Sequence, residues 1–208
     1  AEANRLLDEA GLDKRDEEGL RLLPDGRPAH VVIESAGEST LETDVLELVT
    51  DYFRDIGLGL FVRVSQRDVF RSRALAGQVQ MSVWSGLDNG VPTADMSPEE
   101  IGPSTGDQLQ WPLWGSWHAA AGSTGEAPKL PEVLELLRLL QQWGESEEQS
   151  QRAEVWAKML TIWADQVYSI GTVNGALQPV VRAANLANVP EEALFGFEPM
   201  SFFGAYLP

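Results

Sequence analysis

The feature that most constrains the fold is an alternation of strand and helix patterns over residues 30–84. A strand with one buried face has apolar side chains at every second position, and an amphipathic helix has an apolar stripe at helical spacing. These patterns predict strands at 30–34, 58–64 and 79–83, with helices at 41–56 and 67–76. Because the connections are very short, we predict an α/β fold, a β-α-β-α-β sheet whose helical crossovers are right-handed, as in nearly all proteins.

Short polar motifs mark where helices are expected to begin. Ser39 and Glu42 form a capping box before the first crossover helix, and Ser65 is placed to cap the second. Another box, at Ser146 and Gln149, predicts the start of a late helix. In each motif a side-chain oxygen would accept a backbone N–H that the helix itself leaves unpaired.

The composition changes along the chain. Residues 1–84 are predicted as an α/β core, 85–130 as an irregular region rich in tryptophan, glycine and proline, and 131–208 as helices followed by return strands. The dipeptide Asn174-Gly175 predicts a late hairpin within this last part. We expect residues 1–208 to form a single lobe.

Composition excludes several chemistries. The chain has no cysteine and only two histidines, so disulfides, thiolate nucleophiles and multi-histidine metal sites cannot be built, and no cofactor is expected. A net charge of −17 repels phosphate backbones, so we expect no nucleic-acid partner. No apolar run approaches the length of a membrane span, so no direct membrane insertion is expected.

Candidate ligand-binding residues follow the third strand. Trp84 ends that strand, and open α/β sheets usually bind ligands just beyond the ends of their strands. Asp88 could receive a cationic amine, and Asn89 could donate and accept hydrogen bonds. The alternative is that 88–90 is simply a turn, because Asp, Asn and Gly are all turn formers.

Three further tryptophans are spaced three residues apart in the irregular region. One helical turn would align Trp111, Trp114 and Trp117 on one face, and Trp111 and Trp114 are secondary candidates for ligand binding. The alternative is core packing, because tryptophan buries a large area wherever it lies.

Several segments carry a resemblance to a known family. Residues 3–11 (ANRLLDEAG) are similar to its A-x-x-L-L-x-E-A-G helix, and 24–28 (PDGRP) to its PDGKP turn. Residues 77–81 (GQVQM) resemble its G-x-Y-D-M entry to a strand, and 178–181 (QPVV) its late P-V-V segment. In order and spacing, these segments resemble the C-terminal (second) lobe of bacterial family 5 extracellular solute-binding proteins, the peptide and nickel receptors of ABC importers.

The resemblance implies a fold and a role. We expect a type II periplasmic-binding-protein-like lobe, a fragment of a longer, periplasmic or extracellular protein, in the full-length form lipid-anchored or free. Its expected partners are a small-molecule or peptide solute, the N-terminal lobe of the same protein and an ABC transporter permease. Trp84 matches the family's strand-ending tryptophan, and Asp88 is nearest to the aspartate that binds the ligand amine in peptide-binding members. The family's Y-P-D-P pattern is replaced by NGVPT at 89–93.

The resemblance predicts a receptor and not an enzyme. Two other functions stay open on the residues alone: a carboxylate-dependent hydrolase, or a carbohydrate- or protein-binding module that uses the Trp111, Trp114 and Trp117 face. The acidic balance favours cationic or neutral solutes.

Overall fold

The computed structural model describes residues 1–84, 94–172, 179–189 and 191–192. The chain divides into two compact units, which we call unit 1 (Ala1–Trp84) and unit 2 (Ser85–Pro208).

Unit 1 contains a small parallel sheet and three helices. Its elements in chain order are α1 (Glu2–Glu9), β1 (His30–Ser35), α2 (Thr40–Asp55), β2 (Gly59–Val64), α3 (Arg67–Leu75) and β3 (Met81–Ser82). The strand order is β2-β1-β3, and β1 pairs in parallel with both neighbours. The predicted α/β fold with its helical crossovers is therefore confirmed, although β3 is shorter than the alternation at 79–83 indicated.

The two helices that follow β1 and β2 contact opposite faces of the sheet. Ile33 belongs to a buried cluster with Leu46 of α2 and Leu60 of β2. The next residue, Glu34, points the other way, as alternation along a strand requires, and is bonded by Arg73 of α3. The sheet is thus covered by α2 on one side and α3 on the other.

Helix starts agree with the sequence in one case and differ in another. Ser39 is the N-cap of α2, and its side chain accepts the N–H of Glu42 at 3.3 Å, as predicted. The Ser65 cap is wrong, because α3 begins at Arg67 and has Gln66 as its N-cap. The N–H of Ser65 still bonds the carbonyl of Ser35 at 3.1 Å, so Ser65 continues the extended strand.

One buried arginine ties the N-terminal segment to the C-terminal end of α2. Arg21 is only 1% exposed. Its guanidinium donates to the carbonyl of Ile56 at 2.7 Å, to Oδ1 of Asn4 at 2.7 Å, to Oδ1 of Asp8 at 2.5 Å and to the carbonyl of Leu12. A fifth bond, of 3.4 Å, runs to the carbonyl of Asn4, so every N–H of the group finds an acceptor, which is the condition for burying this charge.

A second buried charge lies inside the sheet of unit 1. Glu34 is 2% exposed, and Arg73 binds both of its oxygens, at 3.0 and 2.9 Å. Arg63 adds a longer bond of 3.2 Å. The hydrogen bond from Arg73 holds the pKa of Glu34 below its ordinary value of 4.5, against the opposing effect of burial.

The lowered pKa of Glu34 makes the contribution of Arg73 to stability depend on pH. A carboxyl group whose pKa is lower in the folded state stabilises the fold above its unfolded-state pKa, and that stabilisation is lost as the pH falls through the folded-state value. We therefore expect Arg73→Ala to be clearly less stable than wild type at pH 7 in urea unfolding, with the gap narrowing below a pH of about 4.5. The exposed Arg54→Ala is the control, and a gap for Arg73→Ala that is constant down to pH 3 contradicts this assignment.

Unit 2 is helical in its described part. Its helices are α4 (Pro112–Ala119), α5 (Pro131–Glu145) and α6 (Gln149–Gln166), and a single 3-10 turn spans Glu99–Ile101. The core lies between these elements and is formed by Ile101, Trp111, Leu136, Leu139, Val155 and Met159.

Tryptophans of α5 and α6 fasten the segment that precedes α4. The indole N–H of Trp143 donates to the carbonyl of Ala94 at 2.9 Å, and that of Trp156 to Met96 at 3.0 Å. Trp163 donates to the carbonyl of Ile101 at 2.5 Å. Residues that look irregular in the sequence are thus fixed by long-range hydrogen bonds.

Two predictions in the C-terminal half have different outcomes. The capping box at Ser146 is wrong, because Glu148 is the N-cap of α6 and the Ser146 hydroxyl donates back to the carbonyl of Gln142 at 2.8 Å. Asn174-Gly175, the turn of the predicted hairpin, lies outside the described residues, and the flanking residues 168–172 and 179–182 are not in strands.

Candidate functional site

The carboxyl edge of the parallel sheet is the candidate site in unit 1. Parallel strands all end at the same edge, so the residues that follow Ser35, Val64 and Ser82 meet there. The chain turns tightly after β1: Gly37 has φ +65°, and a Cβ at that position would lie 2.1 Å from Cγ1 of Val64. Glycine is required here by both conformation and space.

Trp84 lies at this edge and is partly open to solvent. The indole packs against Phe70 of α3. Phe70 is fully buried, and its ring centroid lies 5.7 Å from that of Trp84. Two guanidinium groups also approach the indole, with Cζ of Arg67 at 5.5 Å and Cζ of Arg71 at 5.4 Å from the ring centroid. The ring is nevertheless 37% exposed, so it offers a rigid, accessible aromatic surface.

An ion pair joins the loop after β1 to the first residue of α3. Nε of Arg67 donates to both oxygens of Glu38, at 2.8 and 2.9 Å, and Nη2 adds a further bond. This hydrogen bonding lowers the pKa of Glu38 and keeps the carboxylate charged. Nearby in sequence, the buried hydroxyl of Ser65 has no hydrogen-bond partner among the described residues.

Of the three candidate residues predicted after the third strand, the structure describes one. Trp84 is at the sheet edge, whereas Asp88 and Asn89 lie outside the described residues. Two surface grooves are found in unit 1, of about 520 Å³ between α2 and β2 and about 190 Å³ near His30. Trp84 lines neither groove.

The second group of tryptophans packs into unit 2. Trp111 is 4% exposed, contacts Trp163 and Tyr168 edge-on, and donates its indole N–H to Gln108 at 3.0 Å. Trp114 is half-buried against the same core, and Trp117 is half-buried in α4. These rings therefore do not form the exposed face that the binding-module alternative requires, and Trp111 is the least accessible of the described candidates.

Sequence reasoning missed the arginines that flank Trp84. Arg67 and Arg71 are four residues apart on α3, so they share one face of the helix. That spacing was visible in the sequence, but only the packing of α3 against the sheet brings the pair to the tryptophan.

The described residues hold neither a metal-binding cluster nor a membrane-spanning helix. No group of three or more His, Asp or Glu side chains in that part of the chain is arranged to hold a metal ion. None of the helices described is long and apolar enough to cross a membrane.

Comparison with known proteins gives matches at the level of structure. No protein-family model matches the sequence, and no curated protein is significantly similar to it. The oligopeptide-binding protein OppA matches with a TM-score of 0.66 and 27% identity, over 79% of this chain and 28% of OppA. The fold is that of a periplasmic-binding-protein-like lobe, and its structural neighbours are family 5 solute-binding proteins.

Other solved structures agree on this fold at lower identity. The periplasmic binding protein MelB from Agrobacterium fabrum C58, in complex with stachyose, matches with a TM-score of 0.63 and 16% identity, over 81% of this chain and 24% of MelB. NikA from Brucella suis, in complex with Fe(III)-EDTA, matches with a TM-score of 0.56 and 18% identity, over 79% of this chain and 30% of NikA. The chain thus spans less than a third of each of these proteins, which fits a fragment of such a protein.

Proposed function

We propose that this chain is the solute-binding lobe of an ABC importer receptor, which captures a small solute between two lobes for uptake. The observation that carries the proposal is the match to OppA, at 27% identity over 79% of the chain. The neighbours are binding proteins for peptides, sugars and nickel, so a solute-binding role is common to them although their ligands differ. Closure of two lobes over the solute would shift the protein toward a form that the permease recognises.

The carboxyl edge of the sheet is the part of unit 1 best suited to face the solute. Trp84 would stack on the solute or form a wall of its site, because its exposed ring is held from behind by Phe70. Asp88 and Asn89 would supply polar recognition, and Trp114 stays a secondary candidate.

The proposed partners follow from the length of the chain relative to its matches. Because it spans 28% of OppA, the rest of the binding site would come from an N-terminal lobe of the same protein, and a permease would receive the solute. The proposed location is periplasmic or extracellular. This lobe alone should bind solute weakly or not at all, because the other lobe supplies contacts and excludes water.

The proposed protein is a receptor without catalytic activity. The hydrolase alternative requires two carboxylates that face each other across a cleft. The buried carboxylate of unit 1, Glu34, is occupied by Arg73 and Arg63, and such a pairing suits a structural role.

Calorimetric titration of the full-length protein that contains this chain tests the proposal. The panel consists of trialanine, a longer oligopeptide, stachyose and a nickel–histidine complex, each incubated afterwards and analysed for hydrolysis products. We expect micromolar or tighter binding of at least one solute, with every solute recovered intact. Turnover of a solute, or no binding of any of them, contradicts the proposed function.

A further inference from the structure

Arg71 differs from every other described arginine in having no hydrogen-bond partner among the described residues. Each of the others donates to a carboxylate, an amide or a carbonyl oxygen. The guanidinium of Arg71 lies over the Trp84 ring, with Cζ 5.4 Å from the ring centroid, and makes no hydrogen bond or ion pair with the described residues. Its side chain is half-buried, so part of its hydration shell is already displaced.

The composition of the chain makes this unusual. There are 32 acidic and 15 basic side chains, so carboxylates are available to pair with nearly every cation. A half-buried guanidinium gains most from a carboxylate, because the planar fork of N–H groups binds two oxygens at once. Stacking on an indole orients the fork but leaves its N–H groups unsatisfied.

Of the two arginines beside Trp84, one is already paired with a carboxylate. The second arginine on the ring, Arg67, is neutralised by Glu38, which binds it through both oxygens. That pairing leaves Arg71 without a salt bridge to the described residues, beside the partly exposed ring of Trp84. Asp68 on the same helix also acts electrostatically on Arg67, so what distinguishes Arg71 is that its N–H groups have no acceptor among the described residues.

We propose that Arg71 and Trp84 together form a subsite for a carboxylate group of the solute, with Arg71 binding the carboxylate and Trp84 packing against the adjoining atoms. The solute class is then a small molecule that carries a free carboxylate, and not the cationic or neutral solute that the overall charge favours. This inference rests on the proposed solute-binding function and names the chemistry recognised at the same sheet edge.

The test uses pairs of probes in which one member carries a carboxylate and the other carries a neutral group in its place. Trialanine is compared with trialanine amide, and galacturonate with galactose, by calorimetric titration of the full-length protein. The variants are Arg71→Gln, Arg71→Lys and the control Arg54→Gln, which alters an exposed arginine of α2 paired only with Asp51. Thermal unfolding of each variant checks that the fold is retained.

We expect the carboxylate member of at least one pair to bind about tenfold tighter than its neutral partner in wild type. Arg71→Gln should abolish that preference while leaving the affinity for the neutral partner unchanged. Arg71→Lys should keep part of the preference, because the positive charge remains but the planar guanidinium, which binds both carboxylate oxygens, is lost. Arg54→Gln should keep the whole preference.

The failures of the two proposals are distinguishable. If probes bind but the neutral partners bind as tightly, or Arg71→Gln retains the preference, the carboxylate subsite is wrong and the solute-binding function stands. If none of the probes binds and the solutes tested for the proposed function also fail to bind, both proposals are contradicted.

Discussion

Replacing Arg21 with alanine is expected to lower the free energy of unfolding of unit 1 by about 4 kcal/mol. The guanidinium is almost fully buried and joins α1, the segment after it and the end of α2 through Asn4, Asp8, Leu12 and Ile56. Its removal takes away the donor to the carbonyl of Leu12, leaves that of Ile56 with only a bond of 3.2 Å from Arg15, and opens a cavity. Urea unfolding of the full chain, followed by far-UV circular dichroism, measures the loss.

Two further variants separate the causes of this loss. Arg21→Met restores most of the buried volume but none of the hydrogen bonds, so we expect it to recover only part of the stability. Arg27→Ala removes an exposed arginine that pairs only with Asp25, and we expect no measurable change. If Arg21→Ala is as stable as Arg27→Ala, the N-terminal segment is not held by this residue.

Gly115→Ala is expected to destabilise unit 2 by about 3 kcal/mol or more. Gly115 is buried in α4, where a Cβ would lie 1.8 Å from the carbonyl oxygen of Thr105 and 3.2 Å from the N–H nitrogen of Gly106. Both neighbours are backbone atoms, so relief requires the 105–106 segment to move away from the helix. Tryptophan fluorescence reports mainly on this unit, because every tryptophan of the sequence except Trp84 belongs to unit 2.

The matched control is the same substitution in the neighbouring helix. Gly144 lies on the exposed side of α5, and a Cβ there would meet no atom within 4 Å. Gly144→Ala should raise the free energy of unfolding by about 0.5 kcal/mol, because alanine restricts the unfolded chain more than glycine does. Equal effects of the two substitutions contradict close packing of α4 on the 105–106 segment.

The sheet of unit 1 was predictable because the sequence patterns that specify its strands and helices are each contained in a short segment. The apolar stripe of α2 and the alternation in β2 each lie within a single window of sequence, and the Ser39 cap needs only its own neighbours. Short connections then restrict the topology to crossovers between parallel strands. The Ser65 cap failed because the ladder bond from Ser65 to Ser35, thirty residues away in sequence, extends the strand past the capping position.

The features that the sequence did not reveal depend on distant partners. Arg21 lies in a charged stretch that looks exposed, and its burial depends on the carbonyl of Ile56, 35 residues later. The segment 94–101 has no periodicity of its own and is fixed by Trp143, Trp156 and Trp163. Neither contact leaves a pattern within a short window.

The candidate site was predictable only in outline. Trp84 follows from the rule that ligands bind at the carboxyl ends of parallel strands. Arg71 is one of several arginines in the sequence, and only the three-dimensional arrangement distinguishes it, as the one without a hydrogen-bond partner in the described part of the chain. Trp111 shows that residue type alone does not identify a binding residue, because this tryptophan is part of the core of unit 2.

The central claim, that solute binds at the carboxyl edge of the sheet, is tested most directly by titrating one solute into three forms of the full-length protein. The forms are wild type, Trp84→Ala and Tyr52→Ala, the last altering an aromatic residue 64% exposed near the far end of α2. We predict that Trp84→Ala raises Kd by about tenfold or more, whereas Tyr52→Ala leaves it unchanged. An unchanged Kd for a folded Trp84→Ala protein contradicts the claim.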